Sequence, residues 1–190
     1  MSILNLHGFL EKASNENKRA LCRVFPASMI ISPSIDYTNE HPSVIMSRLK
    51  KIIKNNGVTI IVGQCLGGYY AVRLSKKFGI PCVITNPCLF PTKTKYIVES
   101  KIGKNILYEY SQFPDARLYR KIFAFVSDGD TLITNNYENC KKIAYDISIK
   151  QVEGTHNHIE NVDIELWALI DIIDQLCEIK DIQGRIEYYE

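Results

Sequence analysis

Val62-Gly63-Gln64-Cys65-Leu66-Gly67-Gly68 is the stretch on which the reading of this chain turns. It follows an apolar run rich in β-branched residues, Thr59–Val62, and opens a helical pattern, Leu66–Phe78. A Gly-x-Cys-x-Gly sequence at a strand-to-helix junction is a cysteine version of the turn that holds a nucleophile in strained backbone geometry. Gly63 and Gly67 flank Cys65 because strand and helix approach too closely there for a side chain. Cys65 then sits at the helix N-terminus, where partial positive charge favours a thiolate. The N–H of Leu66 points the same way and can donate to a developing oxyanion.

Outward from this turn, short β-type runs alternate with longer helical patterns. The expected strands are Ile3–Leu6, Ser28–Ser32, Thr59–Val62, Cys82–Thr85, Ile122–Val126 and Ile147–Val152. Several are apolar throughout, as strands covered on both faces must be. Helices are expected over Asn15–Val24, Ser43–Asn55, Leu66–Phe78, Asn135–Tyr145 and Asn161–Ile179. In the last of these, Val162, Leu166, Leu169, Ile173 and Leu176 form a stripe at three- and four-residue steps. Such alternation implies βαβ units, a mostly parallel six-stranded sheet with helices on both faces, and a ligand site at the carboxyl ends of the strands. The segment after the fourth strand is long. It carries Pro87, Pro91 and Pro114 with Tyr96, Tyr108, Tyr110 and Tyr119, and is expected to form a small helical cap, about residues 88–120, inserted into one domain spanning residues 1–190.

Three further turns lie where a nucleophile needs help. Leu6-His7-Gly8-Phe9 follows the first strand, and the Phe9 N–H is expected to be the second oxyanion donor, with His7 shaping the loop. Ser127-Asp128-Gly129-Asp130-Thr131-Leu132-Ile133 follows the fifth strand. Asp130 is preferred over Asp128 as the acid because a hydrophobic pair follows two residues on. Glu153-Gly154-Thr155-His156-Asn157-His158 follows the last strand, and His158 is preferred over His156 as general base. Nucleophile, acid and base thus come in the order Cys65, Asp130, His158. A zinc site built on the His-x-His pair lacks a third ligand at useful spacing, so neither metal nor organic cofactor is expected.

These motifs resemble the small bacterial esterases called YqiA-like. The resemblance rests on Leu-His-Gly-Phe at 6–9, Gly-Gln-Cys-Leu-Gly-Gly-Tyr-Tyr-Ala at 63–71, Asn86-Pro87, Gly129-Asp130, Glu153-Gly154 and Asn157-His158, and it covers nearly the whole chain. It implies an α/β-hydrolase fold and hydrolysis of short-chain esters, with Cys65 in the place of the family's serine. A thiol there points to an acyl hydrolase or acyltransferase acting on esters, thioesters or lactones through a thioester intermediate. The alternative is a catalytically silent binding or regulatory protein on the same fold. A redox role would need a resolving thiol, for which Cys88 is the candidate.

Composition narrows the partners. Among 190 residues, 46% are hydrophobic, and 23 basic against 21 acidic side chains leave a net charge of +2. That balance provides no attraction to nucleic acid or an anionic membrane, and Lys93–Lys104 is broken by Glu99 and apolar residues. The expected partner is a small acyl substrate. The N-terminus carries no basic segment ahead of an apolar one, and no apolar run approaches the roughly 20 residues of a membrane helix. A cytoplasmic location follows as the expectation, with Cys22, Cys65, Cys82, Cys88, Cys140 and Cys177 as free thiols.

Overall fold

The computed structural model describes residues 1–112, 122–143 and 147–162, together with Leu166 and Ile170. Six strands, β1 (Ile3–Leu6), β2 (Ile30–Ile31), β3 (Ile60–Gln64), β4 (Cys82–Thr85), β5 (Ile122–Ser127) and β6 (Ile147–Val152), form one sheet in the order β2-β1-β3-β4-β5-β6. Every pairing is parallel. The helices are α1 (Glu16–Val24), α2 (Pro42–Asn56), α3 (Leu66–Phe78), α4 (Lys95–Val98), α5 (Lys104–Gln112) and α6 (Asn136–Lys141).

The pleat sorts the strand residues into two cores. Leu4, Leu6, Ile61, Ile84, Ala124 and Val126 face α2 and α3, whose Ile45, Leu49, Tyr70 and Leu74 complete that layer. Their neighbours Ile3, Ile60, Val62, Val83 and Phe125 face the other way, onto Ala20 and Leu21 of α1 and onto Val162, Leu166 and Ile170. This is the two-sided burial anticipated from the apolar runs. Helix ends are set locally. Asn15 caps α1 by accepting from the Lys18 N–H at 3.2 Å, and the left-handed Gly57 and Gly79 close α2 and α3.

Some boundaries differ from expectation. β2 shrinks to Ile30–Ile31 because Pro26 starts a 3-10 turn over Ala27–Met29, which consumes the expected strand start. β3 instead runs on to Gln64, delivering the chain straight into the turn. α6 ends at Lys141, and residues 144–146 lie outside the described part. Of the expected final stripe, Val162 and Leu166 are helical and buried, joined by Ile170, while Leu169, Ile173, Leu176 and Cys177 lie outside. The β4–β5 connection contains a 3-10 turn (Pro91–Lys93), α4 and α5; Pro114 and Tyr119 fall in the undescribed 113–121. Among the described residues no helix is long and apolar enough to cross a membrane.

The order of strands locates the site. From β1 the chain steps outward to β2, then returns to the opposite side of β1 for β3. Loops leaving β1 and β3 therefore diverge, and a crevice opens at their carboxyl ends.

Candidate active site

Cys65 lies between β3 and α3 with φ 48° and ψ −119°, a conformation costly for any residue with a side chain. Three backbone hydrogen bonds hold it there. Its N–H donates to Thr85 O at 3.1 Å, and its carbonyl accepts from Gly68 at 3.0 Å and Cys88 at 2.8 Å. The glycines are required by contact. A Cβ on Gly63 would lie 2.6 Å from Gly67 O, and one on Gly67 would lie 2.3 Å from Leu6 O. Strand, turn and helix thus meet backbone to backbone, and the Cys65 side chain ends 2% exposed beneath the β1 loop.

In that loop His7 is buried and serves as a bracket. Its Nε2 accepts from the Ile35 N–H at 3.0 Å, which requires the proton on Nδ1, and Nδ1 donates to Gly8 O at 2.8 Å. The Tyr37 hydroxyl donates to His7 O at 2.7 Å. Burial lowers the pKa of His7, keeping it neutral in this role. The bracket sets the loop against the turn, where a Cβ on Gly8 would lie 3.0 Å from Cys65 Cβ and the Phe9 N–H favours the ionised form of the Cys65 sulfur. Leu66, the first residue of α3, carries an N–H with no partner one turn earlier.

Asp130 and a histidine complete the cluster, but the histidine is His156. Its Nδ1 lies 2.9 Å from Asp130 Oδ2, which leaves Nε2 available, and the ring favours the ionised form of Cys65. Asp130 is oriented by the N–H groups of Leu132 and Ile133, each 3.0 Å from Oδ1, with Asn136 Nδ2 3.5 Å from Oδ2. Asp128 turns away and accepts from the Gly154 N–H at 3.3 Å. His158, the base expected from sequence, is 57% exposed and pairs with Glu16 and Glu160.

The loop after β6 explains that outcome. Gly154, at φ +147°, bridges to Ile159, and the Thr155 N–H donates to His158 O at 2.7 Å. This tight turn directs residue 156 inward and residue 158 outward. Asn86 grips its inner side, an arrangement the sequence reading missed. Held at φ +41°, Asn86 donates through Nδ2 to Thr155 O at 2.9 Å, His156 O at 3.0 Å and Ser127 Oγ at 2.8 Å, while Oδ1 accepts from the Ser127 N–H at 2.7 Å. An asparagine tolerates the left-handed region and offers both donor and acceptor, so Asn86-Pro87 after β4 was a readable signal. Asn86→Ala should free the His156 loop and lower Cys65 acylation by about tenfold or more. It should also cost about 1–3 kcal/mol of stability from unpaired buried groups. Intact-mass kinetics with urea melts would check both, and an unchanged acylation rate would remove Asn86 from this role.

Electrostatically the site differs from the thiolate expected at a helix terminus. Burial raises the Cys65 thiol above its ordinary value, although His156 and the Phe9 N–H pull it back down. His156 is itself disfavoured as a cation by burial, yet Asp130 and Cys65 push it up to about 10. Asp130 is held low, its burial outweighed by His156 and two backbone donors. Each group favours the charged form of the other, so the two titrate together. Cys88 is no ready partner for redox chemistry, since burial pushes its thiol up to about 12.

A cleft of about 1000 Å³ opens between the β4–β5 connection and the loop after β5, lined by Phe90, Tyr96, Leu132 and Ile133 among others. Neither Cys65 nor His156 lines it, but Tyr96 does, and its ring centroid lies 6.1 Å from that of His156 and 5.9 Å from that of Phe9. Among the described residues no three metal-ligating side chains converge.

Residues 2–120 match the model of the uncharacterised protein family UPF0227. The chain is similar in structure to MGS-MChE2, an α/β-hydrolase enzyme from a sediment metagenome of the Mar Chica lagoon in Morocco, at TM-score 0.64 and 16% identity, covering 92% of this chain and 91% of that one. A structure of the metagenome-derived lipolytic enzymes LipS and LipT aligns at TM-score 0.71 and 12% identity over 92% of this chain and 93% of the other. The type II thioesterase BorB of the borrelidin biosynthetic cluster aligns at TM-score 0.56 and 12% identity over 82% of each. At these identities the likeness establishes the α/β-hydrolase fold.

Proposed function

We propose that this chain, which belongs to the uncharacterised protein family UPF0227, is an acyl hydrolase or acyltransferase working through Cys65, His156 and Asp130. The observation that carries the reading is the 2.9 Å pairing of buried His156 Nδ1 with Asp130, which leaves Nε2 available to the Cys65 thiol, whose ionisation His156 and the Phe9 N–H both favour. The YqiA-like motifs and the lipolytic and thioesterase neighbours support it at the level of reaction class.

In this mechanism the Cys65 sulfur attacks the carbonyl carbon of an ester or thioester. His156 Nε2 takes up the thiol proton, and Nδ1 donates to Asp130, which fixes the tautomer and balances the imidazolium. The carbonyl oxygen becomes an oxyanion held by the Phe9 and Leu66 N–H groups. As the tetrahedral intermediate collapses, the bond to the leaving oxygen or sulfur breaks and His156 returns its proton to that atom. The thioester left on Cys65 is then cleaved by water, deprotonated by His156, or by another acceptor. The β4–β5 connection acts as a cap, with Tyr96 as the residue that walls the reacting centre from the cleft. Five described cysteines without a disulfide fit a reducing, cytoplasmic setting.

An activated short-chain ester should leave one acyl adduct on Cys65 by intact mass, and Cys65→Ala should leave none. Absence of an adduct on the wild type would end the proposal. The pH dependence has a defined sign. The sulfur must lose its proton before it can attack. Burial raises the thiol above its ordinary value, so acylation and alkylation of Cys65 should rise as the pH climbs from 7 through the ordinary thiol range. A rate already flat at pH 7 would contradict this balance of burial and charge. One observation favours a second reading, a silent binding protein: a raised thiol in a residue 2% exposed. That reading requires an alkaline rise in alkylation with no acyl turnover at any pH.

A further inference from the structure

Glu11 closes the turn that supplies the Phe9 donor, its N–H donating to Gly8 O at 3.2 Å. Its side chain folds back along that turn. The point where a Cβ on Gly8 would sit is 3.7 Å from Glu11 Cγ and 3.0 Å from Cys65 Cβ, so the two side chains flank one spot. The carboxylate also acts electrostatically on both His156 and Tyr96.

Its two oxygens are treated differently. Oε1 accepts from Gln64 Nε2 at 3.4 Å. Gln64, the residue before Cys65, is fixed in turn by Asn15 Nδ2, 2.6 Å from its Oε1, and Asn15 by Asn5 Nδ2 at 2.9 Å. Oε2 is buried and has no hydrogen-bond partner among the described residues. A buried carboxylate oxygen left unpaired weakens the fold, so a polar chain that holds it there stores an unmet demand for a donor. Charge points the same way. Asp130 already balances His156, and the influences of Glu16 and Arg19 on Glu11 oppose each other. Burial disfavours the Glu11 carboxylate while His156 and Arg19 favour it, and its Oε2 has no hydrogen-bond donor among the described residues.

We infer that Glu11 Oε2 receives an ammonium or other cationic N–H group of the substrate, so that the acyl donors this protein prefers carry such a group within a few bonds of the scissile carbonyl. The inference rests on the acyl-transfer reading for what the substrate is, but the charge preference can be read without turnover.

Cys65 is labelled with three methanethiosulfonates: aminoethyl (cationic), propyl (neutral) and sulfonatoethyl (anionic). Each rate is normalised to that reagent's rate with free cysteine and assigned to Cys65 by peptide mapping. The wild type should react in the order cation, neutral, anion, the first about tenfold faster than the second. Glu11→Gln, which keeps shape and the Gln64 contact, should bring the cation-to-neutral ratio close to one, a change that mere loosening of the loop would not produce. Equal rates in the wild type, or a ratio that survives Glu11→Gln, would overturn the inference. A second arm compares kcat/KM for the β-alanyl and butanoyl p-nitrophenyl esters, which differ by an ammonium for a methyl, and for S-(2-dimethylaminoethyl) thioacetate and S-(3-methylbutyl) thioacetate, where the protonated amine is on the leaving group. Preference for a cationic member supports the inference and tells on which side of the carbonyl the group sits. Turnover with no cation preference in either pair would overturn it. Charge-ordered labelling without any turnover would support the anionic subsite and sink the acyl-transfer reading instead.

Discussion

His156→Ala is expected to lower the rate of Cys65 acylation by about 10²- to 10⁴-fold, the range for loss of a positioned general base, and His158→Ala to leave it close to wild type. The two residues stand two apart on one loop, so the comparison is internally controlled. His156 is 5% exposed and is the link between Asp130 and the sulfur. Its removal strands Asp130 as a buried carboxylate and leaves the raised Cys65 thiol with no proton acceptor. His158 makes solvent-exposed pairs with Glu16 and Glu160, and such pairs contribute little to stability or to a distant reaction. Single-turnover intact-mass kinetics with an activated ester would measure both variants. A large loss in His158→Ala with His156→Ala unaffected would reverse the assignment and show that the loop rearranges before reacting.

The second large effect concerns the fold itself. Gly67→Ala places a Cβ 2.3 Å from Leu6 O and 2.6 Å from His7 O, both backbone atoms of the β1 end. Neither neighbour can swing aside as a side chain would. α3 cannot back away either, because Gly67 O already packs on Gly63. The methyl must therefore push β1 and α3 apart, at a cost of about 3 kcal/mol or more, the upper end for overpacking and beyond. Gly57→Ala is a useful contrast. It has open space around it and pays only for its left-handed φ of 56°, about 1–2 kcal/mol. Urea midpoints of the two variants should separate clearly. If Gly67→Ala melts like Gly57→Ala, the close approach of strand and helix is not as tight as the geometry has it. Any Gly67→Ala protein that remains folded should also acylate poorly, since the displaced backbone is the one that leads to the Phe9 donor.

Much of this protein was legible from local sequence because local physics decides it. Apolar β-branched runs must be covered on both faces, so the six strands and their parallel arrangement could be read before the structure was known. Gly63, Cys65 and Gly67 announce a turn that only small flanking residues permit, and the chain indeed takes φ 48° at Cys65. The chain order of Cys65, Asp130 and the histidine loop, each after a successive strand, follows from strand order alone. Three other matters were decided by distance in space rather than in sequence. His156 and His158 are indistinguishable by spacing from β6. Asn86, arriving from β4 some 70 positions earlier, grips the Thr155 and His156 carbonyls and turns the first histidine inward. The upward shift of the Cys65 thiol follows from how completely neighbouring elements bury it. Glu11, unremarkable in sequence, gains its standing because Gln64 holds one of its carboxylate oxygens and the Gly8 turn sets its side chain beside that of Cys65. The elbow is a property of the chain's covalent neighbours; which groups reach it, and with what charge, is a property of the assembled sheet.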